Sequence, residues 1–276
     1  MTDPIPATAP LGHDVPYPRT YDPQVLFPIA RQNNRQTLAL QPIPDWHGAD
    51  IWNAYELSWL NMKGKPVVGM GCFVFSQASP CIIESKSFKL YLNSFNESHY
   101  ESFEVVRQHM ERDLSQAAGA PVDVRIDPLT THQTESEQAL CGINIDSIDI
   151  STDRYTPAPE LLHCIPMATV VQEILVSDLL KSNCPVTGQP DWGSLQVSYS
   201  GPQIDRAALL KYIISLRHHN EFHEHCVERM YCDIWRTCKP TELQVYARYT
   251  RRGGLDINPW RASAQAKVTN RRTVRQ

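Results

Sequence analysis

Apolar residues at Phe88, Tyr91, Leu92 and Phe95 recur at helical spacing, and Ser85, Lys86 and Lys89 fill the opposite face. The pattern predicts an amphipathic helix with a lysine edge. A longer one is expected from about Tyr100 to Ala118, where Phe103, Val106, Met110 and Leu114 share a face. Before them, the Trp-, Tyr-, Val- and Phe-rich runs Ile51–Leu60 and Pro66–Phe75 flank Lys63-Gly64-Lys65 and predict a hairpin. After them, Val122-Asp123-Val124-Arg125-Ile126 alternates as a strand does.

The second half repeats this order. Strands are expected near 169–179 and 195–199, helices near 205–217 and 222–237, and a closing strand at 243–249. A shift of 120 positions lays His99, Glu101, Glu104, Met110 and Asp113 onto His219, Glu221, Glu224, Met230 and Asp233. Self-similarity at a long period is a mark of duplicated units. The expected fold class is α+β: tandem modules of antiparallel sheet with helices on one face. The expected division is a proline-rich arm over residues 1–48, a first module over 49–130, a polar, acidic surface linker over 131–160 and a second module over 161–276. Gln133, Glu135, Glu137, Asp146, Asp149 and Asp153 supply the linker's polarity, and the prolines from Pro4 to Pro44 make regular structure scarce in the arm.

Composition narrows the partners. A formal charge of -4 argues against a nucleic-acid binder that works by bulk electrostatics. The eight cysteines show neither paired C-x-x-C motifs nor zinc-finger spacing, and no secretory signal precedes them, so they read as reduced cytosolic thiols. No window reaches the ~18 apolar residues of a membrane span. A cytoplasmic protein is expected, with no membrane or direct nucleic-acid partner.

Three stretches carry candidate chemistry. Ser182 to Trp192 is a loop of turn formers between apolar strands; Cys184 is its nucleophile, and Asp191 is a carboxylate that the turn can fold back toward the sulfur. Such a pair divides the work of nucleophile and general acid/base, while the bland alternative is a buried thiol beside a turn-capping aspartate. In the run His218 to Cys226, the H-E-x-x-H motif fails because Val227 stands four residues after His223. His219 and His223 could still pair on a metal if both lay on one helix face. Alternatively His223 and Glu224 face a pocket, with Glu224 accepting from the N–H groups of a heterocycle, or they are simply an exposed helix start. Arg251-Arg252-Gly253-Gly254 joins phosphate-binding forks to a backbone that permits close approach, although two arginines beside a turn are often only solvated. The basic tail with Lys267, Arg271, Arg272 and Arg275 has no partner legible in the sequence, and no G-x-G-x-x-G fingerprint occurs.

Together, Glu84-Ser85-Lys86-Ser87-Phe88-Lys89-Leu90-Tyr91, the Cys184 to Asp191 loop, Phe222-His223-Glu224 and Arg252-Gly253-Gly254-Leu255-Asp256 closely resemble the NADPH-dependent 7-cyano-7-deazaguanine reductases, the nitrile reductases of queuosine biosynthesis. The resemblance spans nearly the whole chain and is to the long, two-module type. It implies the tunnelling fold and reduction of the nitrile of 7-cyano-7-deazaguanine to the 7-aminomethyl compound with two NADPH. It also implies a covalent thioimide on Cys184, a proton from Asp191, and His223 assisting proton traffic and substrate placement. Ile82, Ile83, Glu84, His223 and Glu224 are then the substrate contacts, and Ser85, Lys86, Lys89, Arg252 and Gly253 the NADPH contacts. No metal is implied, a homodimer is, and the site is expected where modules meet. The competing readings are a zinc-dependent pterin or nucleotide cyclohydrolase of the same fold, with His219, His223 and a cysteine as ligands, and a non-catalytic purine-binding module.

Overall fold

A computed structural model describes residues 17–132, 136–167 and 169–276. The expected features before residue 17, and Gln133 and Glu135 of the linker, lie outside the described residues. The chain divides into two compact units. One takes the chain up to Asn34 with Asp50–Ser136 and Arg251–Ile257; the other takes Arg35–Ala49, Glu137–Thr250 and Asn258–Gln276.

The first unit holds β1 (Pro28–Ala30), α1 (Arg31–Arg35, whose last residue belongs to the second), β2 (His47–Leu60, whose first three residues belong to the second), β3 (Pro66–Ser76), β4 (Cys81–Ile83), α2 (Ser85–Asn93), α3 (Phe103–Ala118) and β5 (Val122–Pro128). Its sheet runs β5-β3-β2, and β1 pairs antiparallel with β4 in a small separate sheet. The hairpin, both helices and the closing strand stand where the hydrophobic pattern predicted them. Helix α2 starts at Ser85 because Glu84 caps it, accepting from the N–H groups of Lys86 and Ser87. Helix α3 starts after Ser102, whose side chain caps Val105 N–H, and ends at Gly119 in the left-handed conformation. The stripe of Phe88, Tyr91, Leu92 and Phe95 packs with Trp52, Trp59, Phe73, Val106, Met110 and Leu114 in one apolar core.

The second unit holds β6 (Ile143–Asn144), β7 (Val170–Asn183), β8 (Pro190–Pro202), α4 (Arg206–Ser215), α5 (His223–Cys238) and β9 (Glu242–Tyr249), and takes Asn258–Ala262 of β10 (Leu255–Ala262). Its strands lie in the order β10-β9-β8-β7-β6, antiparallel except for β6. Leu195, Val197 and Tyr199 of β8 pack with Leu209, Tyr212 and Ile213 of α4 and with Val227, Met230 and Ile234 of α5.

Each unit thus runs hairpin, two helices, strand. The repeat extends to single side chains: Tyr91 donates to Asp113 at 2.7 Å, and Tyr212 donates to Asp233 at 2.7 Å. The fold is α+β, as expected. The described end of the arm and the linker hold more structure than their composition predicts. Residues 17–48 include β1, α1 and a 3-10 turn at Pro23–Val25, in which Pro occupies the first position, where no amide donor is needed. In the linker, β6 pairs with β7, and Asp146 accepts from Ser177 Oγ at 2.5 Å and from Asp178 N at 2.8 Å.

Candidate active site

In the second unit the β7–β8 hairpin carries two of the predicted residues. Ser182 stands opposite Asp191 and Asn183 opposite Pro190, so Cys184 opens the loop and Asp191 lies at the head of the return strand. The loop closes on itself: Cys184 N donates to Gln189 O at 2.9 Å, and Gly188 N donates to Cys184 O at 3.0 Å. Gly188 has a φ of +66°, a backbone state that glycine takes without strain. Cys184 is 6% exposed and Asp191 4%. A burial this deep leaves the sulfur and the carboxylate in a medium where each local charge counts for more than in water.

The chain before α5 is zipped to the same hairpin. Asn183 N donates to His219 O at 2.8 Å, Glu221 N donates to Asn183 O at 3.2 Å, and Asn183 Nδ2 donates to Asn220 Oδ1 at 2.9 Å. One residue therefore ties the base of the cysteine loop to the segment that launches His223 and Glu224. His223 Nε2 lies 3.4 Å from Asp191 Oδ2, a pairing for which the sequence carries no specific expectation. The imidazole stacks on Tyr249 with centroids 3.9 Å apart and planes 11° apart. Its Nδ1 is buried and has no hydrogen-bond partner among the described residues. Glu224, in the first turn of α5, is 2% exposed and sits where the helix dipole favours a carboxylate. Lys181 donates through Nζ to Asn183 Oδ1 and Arg217 O; burial, then the Arg217 charge, lowers its pKa, while the Asp191 carboxylate opposes that shift.

His219 is not part of a helical pair with His223. It lies before α5, with Nε2 2.5 Å from Glu221 Oε2, and Arg229 Nε donates to the same carboxylate oxygen at 3.3 Å. The four-residue spacing therefore does not put two imidazoles on one helix face, which removes the premise of the zinc-ligand pair. Among the described residues, no group of three or more His, Cys, Asp and Glu is arranged to hold a metal.

In the first unit, Ile82, Ile83 and Glu84 are buried at the junction of β4 and α2. Glu84 Oε1 accepts from Lys86 N at 2.6 Å and Oε2 from Ser87 N at 2.8 Å. A carboxylate offers about four acceptor sites, so capping does not exhaust it. Burial raises its pKa, against the opposing pull of those amides and of Lys89 and Lys86. Ser85, Lys86 and Lys89 are half-buried on the polar face of α2. Gly253 and Gly254 form a tight turn, with φ of +59° and +75°, between Arg252 and Leu255, which exchange backbone hydrogen bonds at 2.9 and 3.4 Å. Both central residues with positive φ mark the turn that matches strand twist. The turn approaches α2 closely: a Cβ on Gly253 would lie 3.4 Å from Lys89 Cδ. Lys86, Lys89 and Arg252 thus supply cations beside a bare backbone, a combination that fits phosphate groups.

Sequence reasoning missed Asn183, Lys181 and Tyr249. An aromatic at an alternating strand position reads as core, and nothing in the sequence marks Tyr249 as a stacking partner for His223. Sequence reasoning held Asp256 in the glycine motif without a role; the side chain accepts from Asn53 Nδ2 at 2.8 Å and Tyr55 OH at 2.5 Å and pins the glycine turn to β2.

A family model described as nitrile reductase, 7-cyano-7-deazaguanine-reductase N-term, matches residues 17–126, and one described as QueF-like protein matches residues 190–268. A two-module protein of nitrile-reductase type is what these matches define. Among curated relatives, the NADPH-dependent 7-cyano-7-deazaguanine reductase of Bordetella avium is 58% identical over 94% of this chain and 95% of its own length. Those of Cupriavidus taiwanensis (53%, over 99% of both chains) and Chromobacterium violaceum (52%, over 98% of both) are similar along their whole lengths. The chain belongs to the family of NADPH-dependent 7-cyano-7-deazaguanine reductases. No helix among the described residues is long and apolar enough to cross a membrane.

Proposed function

We propose that this protein reduces the nitrile of 7-cyano-7-deazaguanine to the primary amine with NADPH, in queuosine biosynthesis, through a covalent thioimide on Cys184. The observation that carries the mechanism is the buried hairpin end, where Cys184 opens the loop and Asp191 faces His223 at 3.4 Å. A nitrile carbon is a poor hydride acceptor, and a thiolate that adds to it divides one hard step into easier ones. Sγ of Cys184 forms the bond to the nitrile carbon, and Asp191 passes a proton to the nitrile nitrogen, which leaves a thioimide. After one hydride the carbon is a thiohemiaminal, and departure of the Cys184 thiolate gives an imine. A second hydride and a proton complete the amine. His223, with Nε2 toward Asp191 and Nδ1 without a partner among the described residues, suits a relay that reloads the carboxyl.

NADPH, held by Ser85, Lys86, Lys89, Arg252 and Gly253, supplies the hydrides. Nitrile to amine is a four-electron change, so two are consumed per turnover. Glu84 and Glu224 accept from the ring and exocyclic N–H donors of the base, with Ile82 and Ile83 as apolar lining. We further read the protein as a cytoplasmic homodimer; sedimentation at twice the 31.4 kDa chain mass checks the assembly.

The test has two arms. Incubated with 7-cyano-7-deazaguanine alone, the protein gains the mass of one substrate, and Cys184→Ala does not. With NADPH added, two nicotinamides are oxidised per amine. Undiminished turnover by Cys184→Ala overturns the mechanism, and turnover without NADPH oxidation overturns the activity.

A further inference from the structure

The residues after β10 form an irregular strand of chain that ends in a buried side chain. Gln276 is 4% exposed. Its Oε1 accepts from Arg248 Nε at 2.9 Å and Nη2 at 2.7 Å, and its Nε2 donates to Tyr249 O at 3.0 Å and Asn258 Oδ1 at 2.7 Å. The orientation of the amide is chemically fixed, since a guanidinium only donates and a carbonyl only accepts. Neighbouring residues hold it there. Gln276 N donates to Thr273 O, Arg248 also donates to Asn270 Oδ1 at 2.6 Å, and Arg275 donates to Gly193 O and Asp178 O at 3.1 and 2.7 Å. The basic tail, which had no partner legible in the sequence, is a brace across β7, β8 and β9.

The braced strands carry site residues: Asn183 ends β7, β8 bears Asp191, and Tyr249 ends β9. We propose that Gln276 is a positioning residue for nitrile reduction: by fixing the Tyr249 carbonyl it sets the plane of the Tyr249 ring, and that ring sets the plane in which His223 faces Asp191. The inference rests on the reading that His223 and Asp191 move the protons. Three contacts complete the chain from tail to site: 3.0 Å from Gln276 to Tyr249 O, 3.9 Å between the stacked rings and 3.4 Å from His223 to Asp191. A flat ring held at 11° to an imidazole restricts its rotation more than an aliphatic neighbour can. Small misplacement of such a group is costly, since an ångström can cost about a hundredfold in rate.

Gln276→Glu isolates the positioning contact. The carboxylate still accepts from Arg248, now with charge complementarity, so the brace survives; it cannot donate to Tyr249 O or Asn258 Oδ1. Adduct formation with 7-cyano-7-deazaguanine, kcat, both KM values and the melting temperature are measured on the full-length variant. The expected result is a fall of about tenfold to a hundredfold in kcat and adduct rate at a temperature where the variant remains folded, with both KM values close to wild type and a rate loss larger than the drop in melting temperature accounts for. Tyr249→Leu gives the same loss and Tyr249→Phe a smaller one, because the ring that stacks on His223 remains in Phe. Wild-type adduct rates in Gln276→Glu, or a loss in proportion to a lowered melting temperature, overturn the proposal. Should Gln276→Glu fail to fold, the two Tyr249 variants decide, and equal rates for Leu and Phe overturn it. Adduct formation by the wild type in the same assay tests the underlying reading separately: without it the proton-transfer roles fall, and with it only the role of Gln276 is at stake.

Discussion

Asp191 and Lys89 serve different halves of the proposed reaction, so substitutions at each separate them. Asp191→Asn keeps the shape and the neighbour His223 but removes the proton, and general-acid catalysis is worth about 10²–10⁴-fold. Stopped-flow adduct formation should slow by that order, while binding of the base, measured by calorimetry, is retained. Lys89→Ala should leave adduct formation untouched, because no nicotinamide takes part in it. It should raise the KM for NADPH by about tenfold to a hundredfold, the worth of one charge-assisted hydrogen bond. A steady-state titration of NADPH checks it, and an unchanged KM removes Lys89 from the cofactor contacts. In the sequence, Cys184 and Asp191 stand out as a thiol and a carboxylate in one polar loop, whereas the lysines of α2 read as an ordinary solvated edge and stand out only through the family resemblance. Tyr249 and Gln276 do not stand out, since an aromatic in a strand and an amide in a tail are ordinary, and only three-dimensional contact distinguishes them.

The paired helices show how much of the fold the pattern fixes and where it stops. Both hairpins, α2, α3, α5 and β9 were legible from apolar spacing, and the internal repeat from residues aligned at a shift of 120. Strand β10 was not. Its Asp256, Asn258 and Arg261 are all buried and satisfied by other side chains, so polar residues there do not mark a solvent face. Strand β4 is three residues long, too short for any period to show. The repeated Tyr–Asp contact gives a test of the helix packing. In Tyr212→Phe the ring remains and Asp233 loses its donor, although burial already raises that carboxyl's pKa against the pull of Tyr212 and Arg229. Leaving a buried acceptor short of a partner costs about 1–3 kcal/mol, to be read as a lower midpoint in urea with an unchanged slope.

Stability across pH turns on buried carboxylates that arginines hold ionised. Burial would raise Glu221, yet the His219 hydrogen bond and the Arg229 charge carry it down to about 2. Burial would likewise raise Glu228, and Arg261 and Arg35, at 2.7 and 2.6 Å, hold it well below the usual carboxylate range. A carboxyl whose pKa is depressed on folding adds stability that is fully present above its unfolded value, near 4.5, and lost as pH falls through the folded one. The protein should therefore lose stability steeply below about pH 4.5, and Glu221 alone accounts for about 3 kcal/mol between there and pH 2. Glu228→Gln makes the argument specific. The amide leaves the guanidinium of Arg261, which is 0% exposed, without the charge of its partner, and breaking a buried pair from one side costs about 3–5 kcal/mol at neutral pH. The variant also has one fewer carboxyl to protonate on unfolding in acid. Its stability should fall less steeply below pH 4.5, by up to about 1.4 kcal/mol per pH unit, the slope of one proton. Urea midpoints for wild type and variant at pH 7, 4 and 3 measure both effects. A variant curve parallel to wild type would mean that Glu228 is not ionised against Arg35 and Arg261 in the folded protein.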